Sequence, residues 1–250
     1  MFKAEDTKCN NKVKALKVIT YSDECELNAI LKEGTQLMNI SHPHILKVND
    51  FFIDKDQLLC IDMDFYPNGD LTSLIEKQQD TDESIIKQIT FQMCQALDFV
   101  HSELNIIHRD VKPSNIFIKE LTASSIEIVL ADFGLAKVNH QSVNNSYAGT
   151  PLFMSPELGL GGKYYTNTDI YSLGVTVYQL ITKDTTTAIN PMYLSRKEKE
   201  VMDWLRKRLK EAGNYSDELI DLCLFMLTKE ATSRPYAQDI LSNHYFYGLN

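Results

Sequence analysis

Three polar motifs, met in this order, constrain the chain more than any other feature. They are Ile106-Ile107-His108-Arg109-Asp110-Val111-Lys112-Pro113-Ser114-Asn115, then Ala131-Asp132-Phe133-Gly134, then Gly149-Thr150-Pro151-Leu152-Phe153-Met154-Ser155-Pro156-Glu157. Asp132 follows Asn115 by seventeen residues. Two short apolar segments fill that interval, Asn115 to Ile118 and Ile126 to Ala131, and a polar turn joins them, so they read as a pair of strands.

Helical patterns surround the motifs. Ahead of the first, Ile85, Ile89, Met93, Ala96 or Leu97, and Val100 make a continuous apolar stripe, with Asp80 and Glu83 as a candidate capping box. After the third, Asp169 to Thr182 is apolar almost all round, which predicts a helix buried at the centre of the larger part of the fold. Ser195 with Glu198 is read as the cap of a helix carrying Val201, Trp204, Leu205 and Leu209, and Ser216 opens a further helix through Leu227. Asp184 to Thr187 is a polar loop candidate.

The first 65 residues read differently, as strands around one helix. Period-2 alternation in Val13 to Ile19 puts Val13, Ala15 and Lys17 on one face, and a lysine on an apolar strand face is costly unless it has a task. Ser22-Asp23-Glu24 reads as a helix start, Ile30, Glu33 and Leu37 share a face by their spacing, and Pro43 lies beyond the helix end. Gly34 inside that helix costs about 1 kcal/mol relative to alanine, so Gly34→Ala is expected to firm the helix and raise activity. Leu58 to Phe65 reads as a buried strand ended by the turn Pro67-Asn68-Gly69.

Composition narrows the function. With 34 acidic against 25 basic residues and a net charge of −9, the surface lacks the positive field that phosphate-backbone binding needs, so nucleic acid is not an expected partner. Apolar runs fall far short of the roughly 18 residues that span a bilayer, and the start MFKAEDTK has no hydrophobic signal core. No membrane association is expected. Five widely spaced cysteines with no CxxC pair fit a reducing compartment, and the expected location is the cytoplasm, with the nucleus open. Oligomeric state is left open.

The three motifs together resemble the catalytic loop, the metal-binding DFG and the APE-type end of the activation segment of eukaryotic protein kinases, with Lys17 on the expected strand upstream. The resemblance covers almost the whole chain. It implies an α+β bilobal fold, with a β-rich N-lobe at residues 1–65 and a mainly helical C-lobe at 66–250. Lys112 and Thr150 are similar to the serine/threonine branch, and Ser146 to Pro151 with Met154 to Glu157 is most like the NIMA-related kinases. It implies transfer of the γ-phosphoryl of ATP to Ser/Thr hydroxyls of protein substrates, with ATP and Mg2+ as cofactors.

The same resemblance assigns roles. Asp110 would accept or orient the substrate proton, Lys112 would neutralise the transferring group, and Asn115 and Asp132 would hold magnesium. Lys17 would pair with the nucleotide phosphates and be oriented by Glu33. Met63 resembles the gatekeeper, the carbonyl of Asp64 and the amide of Tyr66 would face the adenine, and Ala15 and Phe117 would close on its two sides. Leu37, His108 and Phe133 resemble the hydrophobic spine, Asp169 the acid that holds the catalytic-loop backbone, and Glu157 and Arg234 an ion pair. Ser146, four residues before Thr150, is the expected activating phosphosite, within reach of Arg109, with Ser142 and Thr150 as alternatives.

One departure stands out. The family places GxGxxGxV before the lysine strand, whereas the first glycine here is Gly34. The N-lobe is therefore expected to lack that loop and the strand carrying it, whether because a longer chain begins earlier or because the protein works without them. The second expectation for function follows: a pseudokinase or allosteric scaffold that binds ATP weakly.

Overall fold

A computed structural model describes residues 2–6, 12–77, 81–133 and 151–249, apart from the side chains of residues 5, 6, 12, 33 and 36. Its first part is a four-stranded antiparallel sheet in the order β1-β2-β4-β3, built from β1 (Phe2–Asp6), β2 (Lys12–Ile19), β3 (Val48–Ile53) and β4 (Leu59–Asp64). Helix α1 (Glu24–Met38) packs on one face of it. Two of these strands, β1 and β3, are not legible from the sequence. Asp23 caps α1, its carboxylate accepting from Glu26 N at 2.8 Å, and the turn at Gly69 closes with Gly69 N donating to Tyr66 O.

Gly34 overturns one expectation. It is buried, and a Cβ placed there would stand 2.5 Å from Cζ of Phe51 on β3. Alanine at this position meets an aromatic ring, so the helix-propensity gain is offset by a collision, and Gly34→Ala is not a firming substitution.

The second part is helical. After α2 (Thr72–Glu76) comes α3 (Glu83–Ser102), which buries the expected stripe Ile85, Ile89, Met93, Ala96, Leu97 and Val100. Its cap is Asp82, whose carboxylate accepts from Ser84 N at 2.8 Å, and not an Asp80–Glu83 box. Asp80 lies outside the described residues, and Glu83 instead accepts from Ser216 N at 2.7 Å and Tyr245 Oη at 2.9 Å. The strand pair β5 (Ile116–Leu121) and β6 (Ile126–Leu130) follows as expected. Beyond α4 (Pro156–Gly159), helix α5 (Thr166–Thr182) is buried from Asn167 to Ile181 and forms the centre of the core.

Ser195 does not cap the next long helix. It is the last residue of α6 (Asn190–Ser195), its hydroxyl donating back to Pro191 O, and α7 (Glu198–Glu211) begins after Lys197 without a side-chain cap. Glu198 accepts from Lys229 N at 3.1 Å, a tertiary partner that outcompetes the local box. Ser216 caps α8 (Asp217–Met226) as expected, accepting from Leu219 N, and α9 (Ala237–Leu241) packs against α3. Among the described residues no helix is long and apolar enough to cross a membrane.

The link between α1 and β3 fastens the sheet to the helical part. Leu46 N donates to Leu130 O and Leu130 N to His44 O, both at 2.9 Å, so the link pairs with β6 two residues before Asp132. His42 lies against the Phe99 ring of α3 at 5.1 Å, and its Nδ1 accepts from His44 N at 3.1 Å. Burial, aided by the neighbouring His44, pushes His42 down from 6.5 to about 4. Between those values the unfolded chain binds a proton that the folded one refuses, so stability rises with pH there and is lost as pH falls from 6.5 toward 4. His42→Asn keeps an acceptor for His44 N without the titration. Its melting temperature is expected to fall less between pH 7 and pH 4.5 than that of the wild type, and identical slopes would show that His42 does not report this link.

Candidate active site

Lys17 and Asp132 meet across the seam between sheet and helices. Lys17 projects from the α1-facing side of β2, and its Nζ donates to Asp132 Oδ1 at 2.6 Å. Both side chains are partly exposed, at 25% and 30%, so the pair is open to an incoming group. Asp132 follows β6 with φ of 65°, a left-handed conformation that a non-glycine residue holds only under constraint from its surroundings.

The first motif supplies the rest. Lys112 Nζ stands 3.1 Å from Asp110 Oδ2, and Asn115 Nδ2 donates to the Asp110 carbonyl at 2.8 Å and to its carboxylate at 3.0 Å. Because the Asn115 amide nitrogen is spent on Asp110, its amide oxygen is the atom left to face a cation. Asn115 O also accepts from Ala131 N at 2.8 Å, which ties this loop to the residue preceding Asp132. Three residues of the first motif are thereby joined to one another, and the backbone of Asn115 joins them to the second motif.

A buried carboxylate holds the loop from below. Asp169, on the first turn of α5 and fully buried, accepts from His108 N, Arg109 N and His101 Nε2, each at 2.8 Å. His108 Nε2 contacts Ala131 O at 2.9 Å, and since a carbonyl only accepts, Nε2 carries the hydrogen and Nδ1 can accept from Asp110 N at 3.3 Å. The His108 ring meets Phe133 edge-on at 4.9 Å. Arg109 has φ of 67° and lies over the Tyr164 ring at 5.0 Å.

An apolar slot adjoins these groups. Leu37, Ile61, Met63 and Phe133, with Lys17 and Asp132, line a cavity of about 20 Å³, room for about one water. Ala15 is buried in β2 opposite Met63 of β4, and Phe117 of β5 stacks on Tyr66 at 6.3 Å and 18°. Burial, with the Asp64 carboxylate second, pushes the Tyr66 phenol up to about 12 and keeps it neutral. Farther off, Arg234 clasps Glu157 through two contacts of 3.0 Å and donates to the carbonyls of Asn167, Thr228 and Lys229. Burial pushes the Glu157 carboxyl up, but the guanidinium outweighs it and holds the group below the usual range.

Of the residues expected in the site, Lys17, Met63 and Asp132 line one cavity, with Ala15 opposite Met63. Asp110, Lys112 and Asn115 form a cluster tied by backbone to Ala131, Phe117 meets Tyr66, and Asp64 ends β4 next to Met63. The Glu33 side chain, Ser146 and Thr150 lie outside what the structure describes. His101, which donates to Asp169, and Tyr164, under Arg109, belong to no sequence motif. His101 lies seven residues before His108, a spacing that carries no signal until α3 and α5 are docked.

A profile of the protein kinase domain matches residues 2–246. The chain belongs to the protein kinase family. Human serine/threonine-protein kinase Nek2 is 32% identical over 251 residues, covering 94% of this kinase chain and 54% of Nek2, and mouse Nek9 is 33% identical over 89% of the chain and 22% of Nek9. The kinase chain thus spans about half the length of Nek2 and less of Nek9. Both agree with the NIMA-related resemblance. The crystal structure of Rad53 1–466 in complex with AMP-PNP superposes with a TM-score of 0.71 at 23% identity, covering 94% of this chain and 58% of that one, and shares the bilobal α+β fold.

Proposed function

We propose that this chain transfers the γ-phosphoryl of ATP to serine and threonine hydroxyls of protein substrates. The observation that carries this reading is the convergence of Lys17, Asp132, Asn115, Asp110 and Lys112, drawn from three sequence segments, on one partly exposed seam. The donor set suits magnesium, which takes a carboxylate and a carbonyl-type oxygen and leaves its other positions to water and phosphate. Asp132 and the Asn115 amide oxygen would hold the metal, whose part is to neutralise phosphate charge.

The protein's own share is placement. Lys17 exchanges its Asp132 contact for phosphate oxygens, while Ala15 and Phe117, with the Asp64 carbonyl and Tyr66 amide, bind the adenine beside Met63. Asp110 accepts the acceptor hydroxyl's proton at its carboxylate, a role that Lys112 and Asn115 support by fixing where that carboxylate points. Glu33 would orient Lys17, and Thr150 and Ser146 would act in the activation segment.

The test is incubation of the purified chain with radiolabelled MgATP and a generic basic protein, followed by phosphoamino-acid analysis. Label on phosphoserine and phosphothreonine, lost in Lys17→Met, is expected. Bound nucleotide without any transfer would instead favour the scaffold reading, and label chiefly on phosphotyrosine would sink the assignment.

A further inference from the structure

Helix α1 is positioned over the sheet by a notch and a plug. Its sheet-facing stripe is Ile30, Gly34 and Leu37, and the two outer members are buried to 0% and 5% exposure. The glycine leaves a gap between them. The ring of Phe51 fills it so closely that a Cβ on residue 34 would stand 2.5, 2.8 and 2.9 Å from Cζ, Cε1 and Cε2. Real side chains do not approach so near, so this gap exists only because position 34 has no side chain.

The plug stands in a particular row. Phe51 pairs with Ile61, and Ile61 pairs on its other side with Lys17, so Phe51, Ile61 and Lys17 are lateral neighbours across β3, β4 and β2. Residues directly opposite one another in antiparallel strands point to the same face, so all three project toward α1. Lys17 is about 10 Å from Phe51 in this direction, two strand spacings. Leu37, one turn beyond the notch, lines the same cavity as Lys17 and Asp132.

The geometry points to Phe51 and Gly34 as positioning residues: the ring seated in the notch sets where α1 sits over the sheet row that carries Lys17. Neither residue touches the reacting groups. A helix held by flat apolar contact can slide along its axis, whereas a ring in a gap between Ile30 and Leu37 blocks sliding in both directions. The neighbouring residue on the helix is Glu33, so the lock fixes the height at which that segment faces the lysine row. The functional consequence rests on the kinase reading; the lock itself does not.

The test uses four full chains: wild type, Gly34→Ala, Phe51→Leu and the double variant. Leucine has no atoms at the ring's Cε and Cζ positions, so it removes the three contacts that alanine at 34 would violate. Gly34→Ala is expected to melt lower and to exchange its α1 amide hydrogens faster. Well below its melting point, where all four chains are folded, it should transfer phosphate about tenfold more slowly, with a raised KM for MgATP. A purely structural role would lower the melting point and leave both constants per folded molecule unchanged. The double variant should recover toward Phe51→Leu in exchange, melting and kcat. The lock is overturned if Gly34→Ala exchanges and melts like wild type, or if the two substitutions simply add. If the wild type itself transfers no phosphate, the kinase reading fails, and the exchange and melting cycle alone decides on the lock.

Discussion

Asp110→Asn is expected to lower phosphoryl transfer about 10³-fold while leaving the fold and MgATP binding nearly intact. The substitution is isosteric, and an asparagine oxygen can still accept from Asn115 Nδ2, which now reaches the carboxylate at 3.0 Å, so the local frame survives. What is lost is the charge that takes up a proton, a contribution of about 10²- to 10⁴-fold for general acid–base groups. Lys112, 3.1 Å from that carboxylate, keeps its charge but loses its counter-ion, which adds to the loss. Asp132→Asn separates the two roles. It removes the carboxylate that meets Lys17 at 2.6 Å and half of the proposed metal donor set, so the KM for MgATP should rise along with the fall in kcat. Steady-state kinetics on both variants at varied MgATP distinguishes them. Transfer by Asp110→Asn within about threefold of wild type would remove Asp110 from the chemistry.

How much of this was legible from the sequence depends on the range of the forces involved. The buried helices α3 and α5 read correctly because burial is periodic along α3 and α5, largely apolar, is buried on every side. The polar motifs read correctly because their spacing carries the strand pair β5–β6, and the contacts Asn115–Asp110 and Lys112–Asp110 lie within five residues of each other. Strands β1 and β3 did not read. FKAED and VNDFFI carry charged or amide residues within the strand, which blur any alternation.

Caps were misplaced where tertiary partners won. Glu83 and Glu198 looked like box residues, but each serves a backbone N–H more than 30 residues away in sequence, Ser216 N and Lys229 N. Gly34 shows the same limit with the opposite sign. Propensity alone favours alanine there, and only the docked β3 reveals that the space is already taken by Phe51.

Asp169→Asn is expected to cost about 3 kcal/mol of stability and, separately, about 10²-fold in transfer rate per folded molecule. The carboxylate has no exposure, and its two oxygens accept three hydrogens: Oδ1 takes Arg109 N, and Oδ2 takes both His108 N and His101 Nε2. An amide has one oxygen. Turned toward His108 and His101, it leaves its NH2 facing the N–H of Arg109; turned the other way, it confronts two donors. Either orientation buries like poles against each other. The rate loss follows from the backbone of Arg109, held at φ of 67°, a conformation that costs a residue with a side chain about 1–3 kcal/mol and persists only while something pins it. Released from Oδ1, Arg109 relaxes, and Asp110, the next residue, moves with it. Glycine pays no such cost, so Arg109→Gly in the Asp169→Asn background should recover part of the rate without recovering the lost hydrogen bonds. Urea unfolding midpoints give the stability loss, and kcat measured far below the midpoint gives the rate. A variant that unfolds with the wild type and transfers at its rate would mean that the catalytic loop keeps its shape without Asp169, and that the left-handed turn at Arg109 is held by other contacts.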